Sequence, residues 1–365
     1  MIVSKSSLVR MILGALLCLA ATPSRAEEIP PLSIPGRSSL EGSSLLPVEN
    51  QPLLQANGWR RAFWVAFDEG KDSLGLLAQK SGDNSWELKA VSFTAPQPEI
   101  DDAEALARKN GFVYIVGSHF GKKDGKLKAA RQFVARFRED AIQPQSLTVP
   151  LEVRLDGFKL HRLLNDGLVK QKIDLIDRGA GEKAEFIEKT RKSDEPGSDN
   201  VRESDRALNI EGATFLPTGQ LALGLRYPVT RKGEPLVVVL DGVEALFQDQ
   251  LPKVVAVWIL SGAGTPKTLR GFRELQFAGG EMQAILGSIE RDPGKSPLLK
   301  DHPGADAVTS EHRAFKVPGL GKTLVDSRAI RNLARAANVE GVWVDADGDW
   351  YLFDEDAVRV RHEVR

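Results

Sequence analysis

An internal repeat constrains this chain more than any single element does, because self-similarity at a fixed spacing dictates architecture. Four segments carry a polar residue, a Glu, a small residue, a β-type run, a turn and a second β-type run. They begin at Asp102-Ala103-Glu104-Ala105, Asn209-Ile210-Glu211-Gly212, Phe272-Arg273-Glu274-Leu275 and Asn338-Val339-Glu340-Gly341. Thirteen residues after Glu104, Glu211 and Glu274 stand Gly117, Gly224 and Gly287, each ending an apolar run. A looser copy, Ser39-Leu40-Glu41-Gly42, has its second strand at Ala62 to Phe67, ending in Asp68-Glu69. The last copy ends the same way, at Asp354-Glu355.

Further strand candidates, rich in Val, Phe and Leu and bounded by turn residues, follow each copy, as at Arg131 to Arg138, Pro235 to Leu240 and Val254 to Leu260. Repeating four-stranded units of this length predict an all-β chain folded as a β-propeller of five or six blades. A β-sandwich carrying a chance repeat is the alternative, but it predicts no shared Glu-to-Gly offset. One step, from Glu104 to Glu211, is too long. Residues 178–207, rich in Lys, Glu, Asp and Ser, are expected to be a charged loop insertion, and a degenerate sixth copy fits near Val153 to Leu164. The spacing of Asp326, Ile330, Leu333 and Ala337 predicts one short helical excursion, from about Val325 to Ala337, before the last blade.

Residues 1–26 read as a signal peptide. Lys5 and Arg10 precede an apolar run from Met11 to Ala21, and Ser24-Arg25-Ala26 places small residues at the cleavage positions. The run is about half the roughly 20 residues a membrane-spanning helix needs. Residues 27–37 are expected to be an extended linker and 38–365 a single propeller domain. The one cysteine, Cys18, lies in the leader, so the mature chain carries no thiol, which suits a periplasmic or secreted protein. The whole chain has 49 basic and 50 acidic residues; removing Lys5, Arg10 and Arg25 leaves a charge of −4. That balance gives no reason to expect a nucleic-acid partner, and no later segment is apolar enough to span a membrane.

The strings Tyr114-Ile115-Val116-Gly117-Ser118-His119 with Gly121-Lys122-Lys123, and Asn209-Ile210-Glu211-Gly212-Ala213 followed by Gly224-Leu225-Arg226-Tyr227-Pro228, resemble the bacterial family known as domain of unknown function 3616. The resemblance covers most of the mature chain. It departs in the first copy, with its stretched hairpin, and in the third, where Arg273-Glu274-Leu275 lacks the Gly. It implies an exported propeller and carries no activity with it. More distantly, the Glu-Gly strand starts are similar to those of phytase-like and esterase-like propellers, whose ligands sit at the mouth of the central channel.

If each repeat Glu begins the innermost strand of its blade, Glu41, Glu104, Glu211, Glu274 and Glu340 converge at one end of the channel. Like charges so close must be neutralised by a cation, by basic side chains or by raised pKa values. Fifteen residues after the Glu stand His119, Arg226, Ile289 and Glu355, with Glu69 in the stretched copy. Arg226 and Arg273 are placed to pair with neighbouring Glu, and His119 to carry a proton or ligate a metal. Glu104, Glu211 and Glu340 are the candidate ligands of a divalent cation such as Ca. Glu104, His119, Glu211, Arg226, Arg273, Glu274, Glu340 and Glu355 are the candidate catalytic groups. Two basic loops, with Lys122 and Lys123 and with Arg231 and Lys232, are candidates for holding phosphate or another anion.

Three tempting motifs fail. Gly319-Leu320-Gly321-Lys322-Thr323 ends like a phosphate-binding loop but has Lys316 where the first Gly belongs. Asp345-Ala346-Asp347-Gly348-Asp349 has its Gly fourth, where a calcium loop needs it sixth. Neither a Gly-x-Ser-x-Gly nor a His-Glu-x-x-His occurs. Three functions fit what remains: binding of a cation or small polar, including phosphorylated, ligand at the channel mouth; metal-dependent hydrolysis of phosphoesters or esters; or non-catalytic binding of a protein partner.

Overall fold

The computed structural model describes residues 26–34, 41–68, 73–83, 85–95, 97–122, 125–291, 296–333, 338–355 and 357–364. Five sheets stand in a ring, each with its four inner strands antiparallel from the axis outward. Their innermost strands are Gly42–Pro47, Ala103–Lys109, Asn209–Phe215, Arg270–Ala278 and Val339–Val344, which define blades 1 to 5. Each inner strand packs beside the next, and that of blade 5 packs beside that of blade 1. The chain is a five-bladed β-propeller.

Two-residue periodicity explains why such a ring forms. In Trp59–Phe67, the second strand of blade 1, Ala62, Trp64 and Ala66 join the core shared with blade 2. Phe63, Val65 and Phe67 join the core shared with blade 5. Both faces of a blade are therefore buried, and its strands read as nearly continuous apolar runs rather than alternating ones. The core is a set of layers between blades, with Tyr114, Ile210 and Leu223 between blades 2 and 3, and Trp258, Phe272 and Leu286 between blades 3 and 4.

Blade 5 is completed from the far end of the chain. Ala26–Leu32 forms a strand antiparallel to Ala357–Val364, and Ile29 is buried there. The segment expected to be a linker is thus the outermost strand of the last blade. Residues 1–25, which hold the expected leader, lie outside the described residues.

Three further expectations are corrected. No sixth blade hides near Val153: Glu152–Leu155 is the outer strand of blade 2, and Lys159–Lys170 is an α-helix. The segment 178–207 is largely ordered rather than a solvated loop. Its π-helix Glu182–Glu188 buries Phe186 and Ile187, while Lys189 and Lys192 pair outward with Glu185 and Glu188 one helical turn back. Glu182 is buried too, because its carboxylate takes Arg206 Nε at 2.9 Å, Tyr227 Oη at 2.7 Å and the backbone N–H of Ala207 at 3.0 Å. The helical excursion before the last blade is absent among the described residues. Leu324–Asp326 instead adds in parallel to the outer strand of blade 3, and Arg328–Asn332 adds to blade 4. Open blade edges offer unpaired backbone groups, and satisfying them outweighs a weak helical spacing. Residues 334–337 lie outside the described residues.

Candidate functional site

Every inner strand is interrupted at one residue. The ladder with its neighbour slips between Gly42 and Ser44, between Ala103 and Ala105, between Ile210 and Gly212, between Phe272 and Glu274, and between Val339 and Gly341. A bulge leaves one residue out of the ladder and re-aims its side chain. The five re-aimed residues are Ser43, Glu104, Glu211, Arg273 and Glu340, and all five line one cavity of about 90 Å³ at the channel mouth.

The ring the repeat predicts therefore exists, but in a different register in two blades. In blade 1 the bulge residue is Ser43; Glu41, two positions earlier, still reaches the cavity from the strand's start. In blade 4 it is Arg273, and Glu274 faces elsewhere. Wholly buried one step further along the strand, Glu274 accepts from Ser44 Oγ at 2.7 Å and from the N–H of Leu275 at 2.8 Å. Ser44 Oγ in turn accepts from the N–H of Leu106 at 3.2 Å, and Gln276 Nε2 donates to the Leu106 carbonyl at 3.0 Å. Blades 1, 2 and 4 are thus tied together, and since blade 4 adjoins neither of the others, the tie crosses the channel. Burial pushes the Glu274 carboxyl well above its usual range.

The mouth is a mesh of carboxylates and guanidiniums. Arg226, at the end of the second strand of blade 3, donates from Nη1 to Glu211 Oε1 at 2.6 Å and from Nε to the Ser288 carbonyl at 3.1 Å. Arg273 pairs with Glu211 at 2.9 Å and with Glu340, which also takes Arg291 at 2.9 Å. Arg131 donates to Asp102 at 2.8 Å and Asp101 at 3.0 Å. Burial, with Arg226 crowding it, draws the Arg273 guanidinium below its usual value.

Glu104 is different. It lines the same cavity, yet no hydrogen bond or ion pair reaches its carboxyl from the described residues. Burial first, then the neighbouring Glu211, Asp102 and Asp68, raises its pKa well above the usual carboxylate value. Asp102 is pushed up to about 6, chiefly by burial, against the pull of Arg131. Glu104 is therefore a side chain that faces the cavity with its pKa raised by burial and by neighbouring carboxylates.

The remaining expected residues fall as follows. His119 does not reach the cavity. It takes a left-handed backbone (φ 58°) that turns the chain so that Phe120 and Gly121 line the cavity instead. The imidazole is wholly buried near Gln132 and His161, and burial pulls its pKa down to about 4, so it is a neutral structural group. Ile289 is buried under the helical insertion, in one core with Phe120 and Phe186. Lys122 and Lys232 are exposed. Arg231 is held by Asp177 at 2.6 Å and Asp174 at 3.1 Å, so its fork is already occupied. Glu69 and Lys123 lie outside the described residues; Glu355 ends a strand, and its side chain is not among those described. Among the described residues no group of three acidic or histidine side chains is placed to share a metal ion. Glu211 and Glu340, expected as cation ligands with Glu104, are paired with arginines, which do the neutralising instead.

Ser43, Asp68, Arg131, Glu290 and Arg291 also line the cavity, as do Asp102 and Asn209, the polar residues that open their repeat copies. Asp102 and Asn209 stand two residues before their bulge Glu, a spacing that places both on the channel side of the strand start. For Arg291 nothing in the sequence pointed to the mouth.

No family model matches the chain, and no curated protein is similar to it. Solved structures of similar shape include the mannose phosphorylase MPT-4 from Leishmania mexicana, 11% identical, with a TM-score of 0.44 over 93% of this chain and 89% of that one. An exo-1,5-alpha-L-arabinanase from a bovine ruminal metagenomic library is 11% identical, with a TM-score of 0.40 over 88% of this chain and 91% of that one. A glucose dehydrogenase is likewise 11% identical, with a TM-score of 0.37 over 92% and 84%. The propeller assignment rests on the closed ring of five sheets, and no activity is carried over from these likenesses.

Proposed function

We propose that the channel mouth is a binding pocket for a small polar ligand, with Glu104 as its central group. The observation that carries this reading is the carboxyl of Glu104, which lines the cavity and receives no hydrogen bond from the described residues, whereas Glu211 and Glu340 beside it are paired with arginines. Glu104 is partly exposed, and a carboxyl set among like charges gains from any ligand that completes it. The volume suits a headgroup of a few heavy atoms, and the bulges that aim the ring are placed by five rigid strands.

The test is a melting scan of the wild type and of Ser43→Trp, whose indole fills the mouth, with 10 mM glycerol, acetate, methylammonium, glycine and phosphate. Binding only the folded state raises Tm by mass action, and a ligand at about ten times its Kd shifts a chain of this size by roughly 1–3 °C. At least one probe is expected to do so in the wild type and none in Ser43→Trp. If no probe acts on the wild type, the pocket reading fails and binding of a protein partner replaces it.

One observation favours a catalytic version. A carboxyl whose pKa is raised, standing beside guanidiniums, is placed as a general acid, with the arginines stabilising a developing anion. That version expects metal-independent ester or phosphoester turnover, abolished in Glu104→Gln; a silent hydrolase panel removes it.

The export expected from residues 1–26 belongs with this reading. Cleavage after Ala26 leaves Glu27–Leu32 of the closing strand intact. N-terminal sequencing of the mature protein is expected to begin at Glu27, and a protein that retains Met1 in the cytoplasm overturns the proposal.

A further inference from the structure

Where blades 3 and 4 meet the mouth, four buried polar atoms of the cavity lining make no hydrogen bond. Two are donors, Arg226 Nη2 and Arg273 Nη1, and two are acceptors, Asn209 Oδ1 and Glu211 Oε2. The four residues are more than nine-tenths buried.

Each atom is held in place by the rest of its side chain. Arg226 is fixed by Glu211 Oε1 and the Ser288 carbonyl, which leaves Nη2 standing 4.0 Å from Glu290 Oε1, beyond hydrogen-bond reach. Arg273 is anchored through Nη2 to Glu340. Its Nη1 stands 2.9 Å from Glu211 Oε2, an ion pair without the alignment of a hydrogen bond. Asn209 donates from Nδ2 to Glu211 Oε1 at 3.1 Å; turning the amide over would set its oxygen against that carboxylate, so Oδ1 stays the open end.

Donors and acceptors are thus interleaved on one wall, and blade 3 alone supplies both kinds. A bound carboxylate, which only accepts, completes the guanidiniums and sets lone pairs against Asn209 and Glu211. An ammonium, which only donates, does the reverse. A hydroxyl donates and accepts at once, and two neighbouring hydroxyls supply two donors and two accepting oxygens, one for each open atom. A carboxamide matches this patch as well, but the same mixture recurs around the mouth, with Asp102 beside Arg131 and Glu340 beside Arg291. A ligand lying across it needs a group that donates and accepts at each step, and a chain of hydroxyl-bearing carbons has one.

We infer that the mouth takes the end of an uncharged polyol, with two adjacent hydroxyls bridging Asn209 and Glu211 to Arg226 and Arg273. This deepens the pocket reading and rests on it. Selectivity comes from the open atoms, since a ligand of the wrong kind leaves a buried donor or acceptor facing its like. The cavity of about 90 Å³ admits only one end of such a molecule, and the remainder projects toward solvent.

The experiment is an NMR titration at neutral pH with erythritol, 1-propanol, acetate, methylammonium and acetamide. It uses the wild type, Asn209→Leu, Arg226→Lys and Ser43→Trp. Erythritol is expected to bind the wild type at least tenfold tighter than each of the other four probes. Asn209→Leu, which removes Oδ1, is expected to lose at least fivefold for erythritol while its acetate affinity holds or improves. Arg226→Lys, which keeps the charge and removes Nη2, is expected to lose at least fivefold for erythritol with methylammonium unchanged. If a variant does not fold, the probe series on the wild type decides without it. A folded variant that binds erythritol like the wild type overturns the polyol. Any other probe that binds as tightly as erythritol and is blocked in Ser43→Trp overturns the polyol and leaves the pocket standing. Wild type and Ser43→Trp behaving alike with every probe overturns both.

Discussion

At the scale of single residues, adjacent positions 273 and 274 show how one step along a strand separates recognition from architecture. Arg273, the bulge residue, faces the cavity, whereas Glu274 is locked into the tie across the channel. The repeat pattern made Glu274 look equivalent to Glu104, because a Glu stood where a Glu was expected. The bulge, which decides the direction of the side chain, has no signature in residue type. Glu274 also yields a prediction with a definite sign. Burial raises the pKa of its carboxyl in the fold well above the ordinary 4.5 of the unfolded chain. A raised folded pKa contributes stability below the unfolded pKa that is lost as the pH rises through the folded one. Glu274→Gln, which keeps the shape and cannot ionise, should therefore match the wild type near pH 4 and gain on it progressively toward pH 8. Urea melts across that range measure the gap; a constant difference between the two proteins refutes the raised pKa.

At the scale of elements, the site depends on how closely inner strands approach one another. A Cβ at Gly212 would stand 2.6 Å from the backbone N of Leu275, in the next blade's inner strand. Gly212→Ala should force blades 3 and 4 apart, cost roughly 1–3 kcal/mol in a urea melt, and weaken whatever binds between Glu211 and Arg273. An alanine here with unchanged stability would mean the blades slide freely. Much of this arrangement was legible beforehand: the strand hairpins, their repetition around an axis, the membership of Glu104, Glu211, Glu340, Arg226 and Arg273 in one mouth, and the pairing of the arginines with the acids. The Glu-to-Gly offset that supported it was partly accidental. Gly117 lies opposite Ala103, Gly224 opposite Gly212, and Gly287 opposite Gly271, so the three glycines hold three different places relative to the bulge. The helical excursion was misread because its spacing was judged alone, without the open blade edges that claim Leu324–Asp326 and Arg328–Asn332. The insertion was misread as solvated because composition does not reveal that Glu182 has Arg206 and Tyr227 waiting for it.

At the scale of the whole molecule, the ring is closed by a strand from each end of the described chain. Ile29 and Ile34 are buried in the layer between blades 5 and 1, with Phe63 and Trp350. Removing residues 26–34 forfeits that burial, worth on the order of 3–6 kcal/mol, and opens blade 5 at its edge. The truncated protein should melt several degrees lower, with hydrogen exchange rising first in Ala357–Val364; equal protection there would show that the closing strand is dispensable.

That closure also sets a schedule. A ribosome delivers Ala26–Leu32 some three hundred residues before Ala357–Val364, and until the later partner emerges the early strand has an unpaired edge and an uncovered isoleucine. For the synthesis of those three hundred residues the nascent chain carries a sticky leading segment that gains from being shielded.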